Sequence, residues 1–114
     1  MEESPQNRRR SVRHQVRIPV LIRGFDVQGR GFFLRGELIS IDGHGACLQW
    51  RIPLPLGEKV EVQIAEENTV RSFRVAWRGK RGSPEETQAG LEFVDANESW
   101  DVEGLVSKWG IGEL

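Results

Sequence analysis

The stretch Gln15-Val16-Arg17-Ile18-Pro19-Val20-Leu21-Ile22 sets Val16, Ile18, Val20 and Ile22 on one side and Gln15, Arg17, Pro19 and Leu21 on the other. A period of two is the pattern of a half-buried strand, whose successive side chains point to opposite faces. Pro19 has no N–H to give to a ladder, so this reading puts the strand at a sheet edge. The same alternation returns along the chain. Leu34 to Ile41, Ala46-Leu48-Trp50, Val60-Val62-Ile64, Phe73-Val75-Trp77 within Val70 to Arg78, and Leu91-Phe93 each read as a short strand. Between them, Gly24 to Gly31, Asp42-Gly43-His44-Gly45, the Pro53, Pro55 and Gly57 punctuation, Glu66-Glu67-Asn68 and Gly79 to Thr87 carry turn chemistry. Gly43 and Gly45 are expected to supply left-handed backbone positions to a tight hairpin. Trp50, Trp77 and Trp109 are expected in the core.

Near the end the period changes. Val102, Leu105, Val106 and Trp109 fall at i, i+3, i+4 and i+7, one face of a helix. Asp95 with Glu98 offers a capping-box start, and Gly110 and Gly112 end the helix. Gly104 weakens it by about 1 kcal/mol relative to alanine, so packing must hold it in place. Six short strands followed by one helix make an all-β fold, a six-stranded antiparallel barrel with a C-terminal helix. The chain of 114 residues fits one domain. It divides into a flexible basic and polar arm over residues 1–8 and a barrel domain with its helix over residues 9–114.

Charge is unevenly spread. Six of the sixteen Lys and Arg residues lie within the first 23 positions, against two of the seventeen acidic ones. The net charge is only -1, so only the opening segment has a field suited to an anion. That segment is short and the rest of the chain is acidic, which argues against nucleic acid as a partner. The polar N-terminus lacks a signal-peptide pattern, and no apolar run is long enough to span a membrane. A cytoplasmic protein without a membrane partner is expected. The single cysteine, Cys47, excludes an internal disulfide. His44 and Cys47 lack a third residue to complete a nucleophilic site, and Asp42, His44 and His14 lack a recognisable ligand spacing. No catalytic residue, metal or cofactor is expected, and the chain does not read as an enzyme.

Two motifs carry the chemistry. The first is Arg8-Arg9-Arg10-Ser11-Val12-Arg13 and the second Ser40-Ile41-Asp42-Gly43-His44-Gly45. Together with the strand order and the closing helix they resemble the PilZ domain family, bacterial receptors for cyclic di-GMP. Arg9 and Arg13 fit the family's pair of arginines separated by three residues ahead of a strand, followed here by Val16 and Pro19-Val20. Leu56-Gly57-Glu58, Trp77 and Gly90-Leu91-Glu92-Phe93 are also similar to it. In the family's second motif an Asp or Asn stands five residues before a glycine and a serine three before it. Aligned on Gly45, this chain carries Ser40 and Asp42 there, the two groups exchanged.

The resemblance implies a cyclic di-GMP-binding signalling module whose site includes Arg8, Arg9, Arg10, Arg13, Ser40, Asp42, Gly43 and Gly45. Arginine's planar fork suits both phosphate oxygens and the guanine O6 and N7 pair. A carboxylate is the best acceptor for the N–H groups on the Watson–Crick edge of guanine. Ser40 cannot make two charge-assisted bonds there, which leaves three readings: Asp42 takes the guanine while Ser40 serves a phosphate, Asp42 only caps its turn, or binding is weakened. In the first function class, the ligand orders the arm on the barrel and alters a surface offered to an unidentified effector protein. In the second, the chain is a PilZ-type interaction adaptor that no longer binds the nucleotide.

Overall fold

The computed structural model describes residues 12–50 and 54–111. Six strands form, β1 (His14–Phe25), β2 (Gly31–Asp42), β3 (Gly45–Gln49), β4 (Lys59–Ile64), β5 (Val70–Arg78) and β6 (Gln88–Phe93), followed by helix α1 (Val102–Trp109). They close into a barrel in the order β1-β2-β3-β6-β5-β4, every neighbouring pair antiparallel. The six strands and the closing helix are those expected, with β1 and β2 reaching further into their shared hairpin than the alternation alone indicated. No helix among the described residues is long and apolar enough to cross a membrane.

Closure gives each strand two neighbours, so β1 is not an edge strand. Pro19 is accommodated because the ladder to β4 begins only at Val20, paired with Ile64. The Pro19 carbonyl on that side accepts from the Ala65 N–H at 3.0 Å. The proline nitrogen therefore sits just past the point where a ladder donor would be needed. Val16, Ile18, Val20 and Ile22 point inward as the alternation required, joined by Leu38, Ile41, Leu48, Val60, Val62, Phe73, Val75 and Leu91. Two tryptophans close the ends of this core. Trp50 lies against Gly36, whose missing side chain makes room for the indole, and tilts against Phe32 at 5.4 Å. At the other end Trp100, which the strand pattern did not single out, stacks on Phe73 at 5.4 Å and meets Phe93 at 5.1 Å.

Helix α1 starts about six residues, nearly two turns, later than the Asp95 and Glu98 pattern predicted. Its N-cap is Asp101, whose Oδ1 accepts from the Gly104 N–H at 3.1 Å. That contact accounts for a glycine inside the helix, because a Cβ at Gly104 would press into the Asp101 carboxylate. Eight residues are too few for a helix to persist alone. Leu105 is buried on the barrel, Val102, Val106 and Trp109 pack at its margin, and Gly110 bridges to Val16.

Candidate functional site

Regular alternation would send Leu38, Ser40 and Asp42 to one face and Phe73, Val75 and Trp77 to another. The pairing interrupts both series. Between Leu38 and Ser40 the register of β2 against β3 shifts, so Leu38 pairs with Leu48 and Ser40 with Cys47. Leu38 and Ile41 are consequently both core residues, and Ser40 and Asp42 turn to the opposite face. Between Val75 and Trp77 the register of β5 against β6 shifts in the same way, Val75 pairing with Leu91 and Trp77 with Gly90. Phe73 and Val75 stay inside while Trp77 is thrown outward and is 39% exposed. Each irregularity places an extra residue in one strand, the local device by which sheets re-aim a side chain. Trp77 is therefore not part of the core, whereas Trp50 is, and Trp109 packs at its edge.

Both re-aimed segments border one cleft of about 330 Å³ on the outer face of β2, β3, β6 and β5. Arg13, Ser40, Asp42, Gly45, Trp77 and Glu92 line it, with His44 at its rim. Of the residues expected from sequence, the structure thus brings together Arg13, Ser40, Asp42 and Gly45. Gly43 sits in the adjoining turn and does not line the cleft. Arg8, Arg9 and Arg10, and the rest of the arm over residues 1–8, lie outside the described residues.

Asp42 has a defined task. Its Oδ1 accepts from the backbone N–H of His44 at 2.8 Å and of Gly45 at 3.0 Å. This is an Asx-turn, in which a side-chain oxygen closes the loop that the backbone would otherwise close. Because the side chain holds the turn, neither glycine needs a left-handed conformation. Among the described residues positive φ occurs only at Gly29, Gly57 and Gly82, which corrects the expectation for Gly43 and Gly45. Gly45 is required for another reason, since a Cβ there would run into the Leu91 carbonyl oxygen across the β3–β6 ladder. The Gly45 carbonyl in turn accepts from the Trp100 indole Nε1 at 2.9 Å. The turn, the β6 strand and the aromatic cap are locked to one another at this residue.

Arg13 precedes β1, is exposed, and makes no ion pair among the described residues. Its charge reaches Cys47, the neighbour of Ser40. Burial pushes the Cys47 thiol above its ordinary pKa, and the Arg13 guanidinium opposes that rise. On the far side, a Cβ at Gly90 would overlap the Trp77 pyrrole ring. The indole lies against the bare backbone of β6, and its exposed surface belongs to the cleft. Glu92 completes that side, exposed on β6 between Gly45 of β3 and Arg74 of β5. Neither Trp77 nor Glu92 stood out as a site residue in the sequence. The Trp-to-Gly pairing across β5 and β6 was the signal that could have found the first. A PilZ domain family model matches residues 7–103 of the chain. No curated protein matches it.

Proposed function

The chain belongs to the PilZ domain family, binding and adaptor domains known for cyclic di-GMP, and from that premise we propose that it receives this nucleotide in the cleft on β2, β3, β6 and β5. The observation that carries the reading is the convergence of Arg13, from the first motif, with Ser40, Asp42 and Gly45, from the second, on one cavity. Arg13 contributes a guanidinium without an ion-pair partner among the described residues, matched to a phosphate. Ser40 offers a hydroxyl beside it. Asp42 acts mainly through the turn, and Gly45 lets β3 approach β6. Arg8, Arg9 and Arg10 belong to an arm over residues 1–8 and its junction that closes on bound ligand and so alters the surface seen by an effector protein.

The commitment of Asp42 Oδ1 to two backbone N–H groups favours a second reading, an adaptor that works through protein contact without the nucleotide. Titration calorimetry of the full chain with cyclic di-GMP separates the two. The receptor reading expects saturable heat that is lost in Arg9→Ala with Arg13→Ala. No heat at about 100 µM ligand, an affinity weaker than about 5.5 kcal/mol, refutes it and leaves the adaptor.

A further inference from the structure

Exchange of the motif groups leaves a chemical gap. A guanine bound in this cleft presents N1–H and the N2 amine on its Watson–Crick edge, and a carboxylate is their best acceptor. At the head of the turn motif stands Ser40, a neutral hydroxyl. The Oδ1 of Asp42, at the serine position, holds the turn. The cleft has one other carboxylate, Glu92. Its position differs from both, on β6 directly across from Gly45. It is exposed and makes no ion pair or hydrogen bond among the described residues, although Arg74 faces it from β5.

Glu92 also stands two residues from Gly90 on the same strand face, and Gly90 is where the Trp77 indole lies. An exposed aromatic ring supported from below by bare backbone is a stacking surface for a base. A base stacked there would lie over the face of β6 that also carries Glu92, two residues along the strand. Arg13 lines the same cleft and can meet the phosphate.

Resting on the cyclic di-GMP reading above, we infer that Glu92 is the guanine-reading residue of this chain. It accepts the Watson–Crick edge of a base stacked on Trp77, a task that neither Ser40 nor Asp42 performs. Because the acceptor is supplied from β6, the exchanged turn motif can serve backbone geometry without loss of base specificity.

The test compares cyclic di-GMP with cyclic di-IMP, which keeps N1–H and lacks the N2 amine, on the wild-type chain and on Glu92→Gln. A charge-assisted hydrogen bond exceeds a neutral one by enough to change affinity roughly tenfold. Wild type is expected to prefer cyclic di-GMP by about that factor. Glu92→Gln is expected to bind cyclic di-GMP about tenfold more weakly and to lose most of the preference, with its circular dichroism spectrum unchanged. A variant that binds cyclic di-GMP like wild type, or that keeps the wild-type preference, overturns the inference and leaves the receptor reading standing. Absence of any binding by wild type removes both. Trp77 provides an independent readout. Its fluorescence should be quenched by cyclic di-GMP in wild type, and Trp77→Leu should weaken both ligands equally; a loss confined to cyclic di-GMP would contradict the stacking role.

Discussion

Replacing Asp42 by alanine should destabilise the barrel through two backbone donors of unequal weight. The Gly45 N–H is buried and bonds the carboxylate at 3.0 Å. Removing a charged acceptor from a buried donor costs about 2 kcal/mol, because no water can take its place. The His44 N–H, at 2.8 Å, is only part-buried, and water can replace much of that bond, so its loss costs about 0.5 to 1 kcal/mol. The total is about 2.5 to 3 kcal/mol. For a domain of this size, with a urea slope of about 1.3 kcal/mol per molar, the unfolding midpoint should fall by about 2 M. Asp42→Asn keeps an oxygen at the same place and should lose only about 1 kcal/mol. Urea titration followed by tryptophan fluorescence measures both variants, since Trp100 is hydrogen-bonded to the Gly45 carbonyl beside this turn. A loss below about 0.5 kcal/mol in Asp42→Ala, or equal losses in the two variants, would refute the assignment of Asp42 to the turn.

Gly45→Ala should be more damaging than any change at Asp42, by more than about 3 kcal/mol, because its Cβ meets backbone that cannot move without parting β3 from β6; a thermal melt within a few degrees of wild type would contradict this. The Cys47 thiol, raised above its ordinary value of 9.0 by burial, keeps its proton in the folded state when the unfolded thiol has lost it. Its contribution to stability is therefore present below about pH 9 and is lost as pH rises further. Cys47→Ala should flatten that alkaline decline in urea midpoints, and an unchanged slope would assign it to other groups. In Arg13→Ala the thiol should titrate higher still, seen as slower reaction with a disulfide reagent at pH 8; faster reaction would show that Arg13 does not act on Cys47.

The alternating segments were legible because a strand buried on one face writes its period directly into the order of side chains. Val16 to Ile22, Val60 to Ile64 and Leu91 with Phe93 needed no partner to be read correctly. Residues whose role is set by a neighbour across the sheet were read less well. Pro19 looked like an edge residue because its missing donor is visible in the sequence, whereas the end of the β4 ladder beside it is not. Gly45 looked like a turn glycine because its closeness to Leu91, more than forty positions away, has no local signature. The same holds for Trp100, which anchors an indole N–H on the Gly45 carbonyl.

By itself the sequence determined the six strands of an antiparallel barrel, the closing helix and the position of Arg13 ahead of β1, since periodicity and motif spacing are properties of the chain alone. Only the tertiary structure decided which way the cleft residues face. The register shifts after Leu38 and after Val75 arise from pairing between strands, and each reverses the phase of everything beyond it on that face. That reversal takes Ser40, Asp42 and Trp77 out of the core series and sets them in one cleft. A period of two cannot announce where it will break, because the extra residue is defined only against the strand that lies opposite.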